Sequence, residues 1–231
     1  MLSKILSPKN DLAFKRSFGN ERNKDILIKL AYQLGLILDP LQAQKLLTYL
    51  EILRKWNKVY NLCANADFDK MLAYHILDSL SVAVHIDCYN KHILDVGSGA
   101  GLPGIPLAIL NVADKITLLD SRAKRTVFLT HVIHELQLKN IKVELVRVEK
   151  YFPLNNFNLI ISRAFSDLKT FVKLTHRLLK ENNSKIVAMK SDPKEFTIGE
   201  EIVKGCRINN VKFFKVPNIQ GIRSLVVVEK I

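Results

Sequence analysis

The run His92-Ile-Leu-Asp95-Val-Gly97-Ser-Gly99-Ala-Gly101-Leu-Pro-Gly104-Ile-Pro106 carries the densest chemical signal in the sequence. An apolar strand ends at an aspartate, glycines follow at alternate positions, and a helix begins. Glycines let the main chain turn tightly and approach a ligand without a Cβ in the way. A helix start adds unpaired N–H groups and a partial positive charge. A second acid, Asp120, closes the next apolar run, Thr117-Leu-Leu-Asp120. A carboxylate at that place can accept hydrogen bonds from ribose hydroxyls. The pair of features implies a nucleoside-bearing ligand.

The spacing narrows the ligand. The loop reads G-x-G-x-G, and Leu102 stands where a dinucleotide fingerprint needs its third glycine. No G-K-[ST] follows, so a P-loop is excluded. S-adenosylmethionine fits better, because it has no pyrophosphate but carries an amino acid and a sulfonium. Gly97, Gly99 and Gly101 would line it, Asp95 would face its ammonium, and Asp120 its ribose.

These residues need a scaffold that the hydrophobic pattern supplies. Strands are expected at His92–Val96, Lys115–Asp120, Val143–Val148, Leu159–Ser162, Lys185–Lys190, Val211–Val216 and Leu225–Glu229. Helices fit near Gly104–Leu110, Arg122–Leu138, Leu168–Lys180 and Lys194–Lys204. Such alternation implies an α/β fold, a mostly parallel seven-stranded sheet with helices on both faces. The last two strands lack an intervening helix and should form an antiparallel C-terminal hairpin. Upstream, Leu46, Leu47, Leu50, Leu53, Trp56, Val59 and Tyr60 form a helical stripe. A second helix should start at Asp67 or Asp69 and run through Ala83. The two form an N-terminal helical layer. The expected divisions are a basic segment 1–29, the helical layer 30–89 and the ligand-binding domain 90–231.

Composition sets the class. The chain has 231 residues, 48% hydrophobic and 25% charged, which is globular. Its formal net charge of +13 favours a polyanionic partner. Cys63, Cys88 and Cys206 lie far apart with no C-x-x-C pair, so neither a disulfide scaffold nor a cysteine metal site is expected. His131, His134 and Glu135 read H-x-x-H-E, not the zinc order H-E-x-x-H, so no metal is expected there either. No apolar run approaches a membrane span of about 18 residues. Charges interrupt the N-terminus before a signal core could form. A cytoplasmic monomer is expected.

Several ordered blocks resemble one family. They are Trp56-Asn-Lys-Val-Tyr-Asn-Leu62, His75-Ile-Leu-Asp-Ser-Leu80, Asp95 through Leu107, Leu118-Leu-Asp-Ser121 with Lys124-Arg125, Ser162-Arg-Ala-Phe165, and Met189-Lys190. From about Leu30 to the C-terminus the chain is similar to the bacterial 16S ribosomal RNA guanine-N7 methyltransferases, the glucose-inhibited division protein B family. The resemblance implies a Rossmann-like class I S-adenosylmethionine-dependent methyltransferase. It implies transfer to N7 of a guanine, position 527 of 16S rRNA, with that RNA or the small ribosomal subunit as partner. It places cofactor contacts on Gly97, Leu102, Asp120, Val148, Glu149 and Arg163. Lys190 falls on the family's lysine near the RNA side of the pocket. The chain departs from the family at Tyr74, where Arg is frequent, and at Ser191, where Gly is usual.

Guanine N7 has a lone pair and no proton, so methyl transfer to it requires no general base. Positioning and exclusion of water then carry the chemistry. Arg163 and Lys190 end adjacent expected strands at the ligand edge, and are assigned as catalytic groups that orient the RNA. Lys124 and Arg125 are candidate phosphate contacts. Trp56 reads as core, and Asn57, Lys58 and Asn61 as packing between layers. His75 is expected to hydrogen-bond inside the helical layer. The first 29 residues hold seven Lys/Arg against three acids. Leu6-Ser-Pro-Lys-Asn-Asp-Leu-Ala-Phe14-Lys with Asn23-Lys-Asp-Ile-Leu27 resembles the opening of PD-(D/E)xK transposase-associated nucleases. The segment is expected to be a fused fragment without nuclease activity.

Overall fold

The computed structural model describes residues 20–64, 67–163, 167–180, 183–191 and 196–231. Most of the basic N-terminal segment, and Ala164 and Phe165 of the Ser162–Phe165 block, lie outside the described residues.

Among the described residues, four α-helices and one π-helical stretch precede the sheet. Helix α1, Glu21–Leu34, is capped by the Asn20 side chain and stopped by Gly35 in the left-handed region. It is continuous across the expected division at 29/30, with Leu27 and Ala31 fully buried. Helix α2, Pro40–Tyr60, starts with a capping box between Asp39 and Gln42, with Pro40 where its missing N–H costs nothing. Of the expected stripe, Leu46, Leu47, Leu50 and Leu53 are buried, Trp56 and Tyr60 half-buried and Val59 exposed, and Tyr49, outside that stripe, is buried as well. Helix α3, Phe68–Met71, has Asp67 as its N-cap. It passes through a π-helical stretch, Leu72–Leu77, into α4, Asp78–His85.

The remainder alternates: β1 His92–Val96, α5 Gly104–Leu110, β2 Lys115–Asp120, α6 Ala123–Glu135, β3 Ile141–Leu145, β4 Leu159–Arg163, α7 Leu168–Thr175 and β5 Lys185–Lys190. Three strands end the chain: β6 Glu201–Val203, β7 Cys206–Phe214 and β8 Arg223–Lys230. The sheet order is β3-β2-β1-β4-β5-β8-β7-β6. The first five strands are parallel, and β8, β7 and β6 join antiparallel. The expected class therefore holds, with eight strands rather than seven among the described residues. The extra one, β6, occupies part of the helix expected at Lys194–Lys204, whose described residues form turns and this strand. Pairing with β7 supplies there the main-chain partners a helix would have made. Val148 lies not in a strand but in a 3-10 turn, Val148–Lys150.

Strand alternation divides the core. Ile93 and Ile161 face the helical layer, α5 and α6. Leu94, Ile160, Ile186 and Val226 face α7. Because β1, β4 and β5 are covered on both faces, their residues are apolar in succession rather than alternately. Burying each such aliphatic side chain contributes about 2 kcal/mol before entropy is counted. Among the described residues no helix is long and apolar enough to cross a membrane.

Candidate active site

The chain order reverses between β1 and β4, its neighbours in the parallel part of the sheet. Ligands of open α/β sheets bind at the carboxyl ends of the strands beside such a switch point. Asp95, Asp120, Arg163 and Lys190 lie at or next to those ends, so the fold brings the expected residues to one edge.

The loop from Gly97 to Gly101 leaves β1 with positive φ at all three glycines (70°, 59° and 88°). At Gly101 a Cβ would come within 2.5 Å of Ile105 and 2.8 Å of Leu129, so a side chain is excluded by space as well as by φ. At Gly97 a Cβ would meet nothing within 4 Å, leaving open space in front of the loop. Gly97 and Ser98 N–H both donate to Leu119 O (2.8 and 3.1 Å), fastening the loop to β2. From the helical layer, the buried Tyr49 hydroxyl donates to Ala100 O at 2.6 Å.

Asp95 is fully buried. Its Oδ2 accepts from Gly104 N–H at 2.9 Å, at the start of α5. Its Oδ1 has no hydrogen-bond partner among the described residues. Burial pushes the carboxyl up to about 7, against the opposing pull of the Gly104 N–H and the Arg163 charge. A buried acceptor oxygen that no donor engages is suited to a ligand ammonium, whose charge would restore the carboxylate. Asp120 is also buried, but its oxygens are engaged. Oδ1 accepts from Arg122 N–H at 2.9 Å, and Oδ2 from Gly99 N–H at 2.9 Å and Arg125 Nη1 at 3.2 Å. Arg125, read as a phosphate contact, therefore also braces the acid that ends β2.

Leu102 lies in the core, with its N–H donating to Ser98 O, so its side chain packs the loop. Val148 is buried and Glu149 exposed in the 3-10 turn after β3. Arg177 holds that turn by donating to Val148 O at 2.7 Å and Tyr151 O at 2.9 Å. Lys190, half-buried, closes β5 opposite Ser224 of β8.

Arg163 is tied to the helical layer. Its Nη1 donates to Tyr74 O at 2.8 Å and stands 3.8 Å from Asp78 Oδ2. Asp78 also pairs with Arg223, Nε to Oδ1 at 3.2 Å, and the Arg223 guanidinium lies 5.6 Å from the Tyr74 ring centroid. Burial raises the Asp78 carboxyl and the two arginines oppose it. Sequence reasoning missed Tyr49, Asp78 and Arg223, since nothing local marks which distant elements they meet.

His75 departs from expectation. It is buried beside Arg163, but neither ring nitrogen makes a sound hydrogen bond among the described residues, although the Tyr74 main chain stands close. Burial first, then the Arg163 charge, pushes the imidazole down to about 4, so it is neutral at pH 7. Trp56 is half-buried, packed on Tyr60, Phe128 and His131 at centroid distances of 5.2, 5.5 and 5.3 Å. Asn57 clamps the turn after α2 through Cys63 rather than bridging layers (2.9 and 2.8 Å).

Comparison with known proteins places this geometry. A family model described as rRNA small subunit methyltransferase G matches residues 42–226. Ribosomal RNA small subunit methyltransferase G of Stutzerimonas stutzeri is 42% identical over 214 residues, covering 93% of this chain and 99% of the relative. The namesake from Hydrogenovibrio crunogenus is 44% identical over 186 residues, covering 80% and 84%. The first match leaves uncovered fewer residues than the 29 of the N-terminal segment. Among solved structures, a mutant of MtNAS in complex with S-adenosylmethionine shares the fold, with a TM-score of 0.53 and 15% identity over 91% of this chain and 78% of that one.

Proposed function

The chain belongs to the rRNA small subunit methyltransferase G family and is an rRNA methyltransferase; on that premise we propose that it moves a methyl group from S-adenosylmethionine to N7 of guanine 527 in 16S rRNA. The observation that carries this reading is the convergence of the glycine loop, the unpartnered Asp95 Oδ1 and Asp120 at the carboxyl edge, beside Arg163. S-adenosylmethionine fits these residues: Asp95 Oδ1 for its ammonium, the open space at Gly97 for its amino-acid part, Asp120 Oδ1, which among the described residues accepts only from Arg122 N–H, for a ribose hydroxyl, and the Val148–Glu149 turn for its base. Bound there, it supplies an electrophilic methyl on sulfur.

The protein's part is then to hold and exclude. Arg163 is fixed by Tyr74 and Asp78, so its remaining donors are pre-aimed at the RNA, and Lys190 adds a second cation on the neighbouring strand. As N7 carries no proton, no residue has to take one. As the guanine becomes cationic on methylation, the two basic groups are read as contacts to phosphate or to O6 rather than to N7. The enzyme acts as a cytoplasmic monomer on this reading. Residues 30–89 form its helical layer, 90–231 bind the cofactor, and 1–29 are an extra basic segment without nuclease activity, whose end α1 joins to the helical layer.

The test is methyl transfer to unmethylated small subunits and to their deproteinised rRNA, mapped by borohydride reduction and aniline cleavage, which cuts at 7-methylguanine. One cut at the proposed guanine is expected. Label in RNA without that cut would remove the N7 assignment, and label at another site would remove the position.

A further inference from the structure

We propose that a second RNA-docking surface lies at the amino edge of the sheet, away from the glycine loop, built on Phe152 and the lysines Lys115, Lys139 and Lys142. It rests on the reading of the chain as an rRNA methyltransferase, and names where a large RNA is gripped outside the reacting site.

A cavity of about 540 Å³ opens there. Its walls include Lys115, Lys139, Lys142, Tyr151, Phe152 and Leu154. Lys115 and Ile141 open β2 and β3, so the cavity is at the opposite end of these strands from Asp120. At about 3.3 Å per residue, a five-residue strand separates the two ends by roughly 15 Å. The chain between β3 and β4 crosses from the carboxyl edge back to the amino edge, and exposes two apolar side chains as it does so. Phe152 is 80% exposed and Leu154 wholly exposed.

Phe152 is mounted rather than loose. The Arg177 guanidinium lies 4.8 Å from its ring centroid, and Arg177 is itself pinned by the carbonyls of Val148 and Tyr151. Tyr151, beneath, stacks on Phe157 with centroids 6.3 Å apart. One face of the Phe152 ring thus rests on a fixed cation while most of its surface meets water. A ring held this way is a platform for an unpaired base, which stacks on any aromatic face.

The charge around it selects the partner. Lys115, Lys139 and Lys142 are exposed. Among the described residues neither Lys115 nor Lys139 forms an ion pair, and Lys142 pairs with Glu144 at 2.7 Å. Glu144 is the one acid in the cavity wall. An exposed aromatic flanked by surplus lysines matches a nucleic-acid strand, whose phosphates meet the cations and whose bases meet the ring. A protein partner matched to an apolar patch would not need that surplus.

The experiment compares wild type with Phe152→Ala, Phe152→Tyr and the double variant Lys115→Ala/Lys139→Ala. Each is assayed on small subunits, on deproteinised 16S rRNA and on a short hairpin carrying only the target loop. On the long RNA, KM is expected to rise about tenfold for Phe152→Ala and the lysine pair, with kcat unchanged and Phe152→Tyr close to wild type. On the hairpin, which lacks the RNA flanking the target loop, the KM difference between variants and wild type should shrink. The salt dependence of long-RNA binding should fall by about two in log-log slope for the lysine pair. S-adenosylmethionine affinity should not move, and it reports that the fold is kept. If wild type methylates rRNA but the variants equal it in KM and salt slope, the docking surface is overturned. If only intact subunits distinguish the variants, the partner is a ribosomal protein and the RNA proposal is likewise overturned. If wild type neither binds nor methylates rRNA, the functional reading itself fails.

Discussion

The Tyr49 hydroxyl donates to the carbonyl of Ala100 at 2.6 Å, so a side chain from the middle of α2 holds the glycine loop that follows β1. The loop's shape is thereby set from two sides, by Leu119 of β2 and by the helical layer. Removing the hydroxyl with Tyr49→Phe leaves the ring's packing intact and one buried carbonyl without its partner, at a cost of about 1–2 kcal/mol. Thermal melting should drop by a few degrees, and S-adenosylmethionine affinity should fall about tenfold in calorimetric titration. An unchanged affinity would mean that α2 does not shape the loop.

On the proposed reading, in which Asp95 meets the S-adenosylmethionine ammonium, ligand binding should be pH-dependent. Its folded-state value, about 7, is raised above that of an exposed aspartate. Its burial therefore favours folding most below the ordinary aspartate range, and this contribution is lost as pH rises through about 7. The cationic ammonium needs the ionised form. Affinity for S-adenosylmethionine should accordingly rise between pH 6 and 8 in wild type. In Asp95→Asn it should be weak and flat, while the unliganded variant melts no lower than wild type at pH 8. A wild-type affinity independent of pH would separate Asp95 from the ammonium.

Arg163 and Lys190 should differ on substitution. Arg163→Lys keeps a positive charge but loses the planar guanidinium whose Nη1 meets both Tyr74 O and Asp78. We expect kcat to fall at least tenfold with a melting loss of a few degrees, because Asp78 retains Arg223. Lys190→Ala should lose methyl transfer with little change in melting. Full activity in both variants would remove the two groups from the reacting site.

Gly104→Ala tests the close approach of α5 to β1. The added Cβ would collide with Leu118 and reach 2.8 Å from Asp95 Oδ2. Overpacking of this kind costs about 1–3 kcal/mol. For a chain of this size that corresponds to roughly 2–4 °C per kcal/mol. A variant that melts like wild type would show that the helix shifts freely.

What was legible follows from how local each signal is. The strands β1, β2 and β5 are continuous apolar runs buried on both faces, and their bounds are read directly from sequence. The glycine loop is equally local. The stretch 194–204 is rich in Lys and Glu, which suit a helix, yet β6 forms because Glu201 and Val203 pair with Arg207 and Cys206. The π-helical stretch Leu72–Leu77 has the same apolar spacing as an α-helix, so nothing in its residues announces it. In the site, Asp95 and Asp120 were recognisable from the strands they end. The partners that decide their neighbours' orientation were not. Tyr49 meets Ala100, Arg163 meets Tyr74, and Arg223 meets Asp78, each across a separation that periodicity cannot bridge.

The continuity of α1 bounds how much of the chain can be trimmed. Deleting residues up to 29 would cut the helix inside its second half, remove the Asn20 cap and take away Leu27, leaving the buried surface it covers open to water. A version begun at residue 30 should aggregate or melt early whatever its catalytic residues can do. One begun just before Asn20 keeps the helix whole, and is the shorter form in which activity and the basic N-terminal segment can be studied apart.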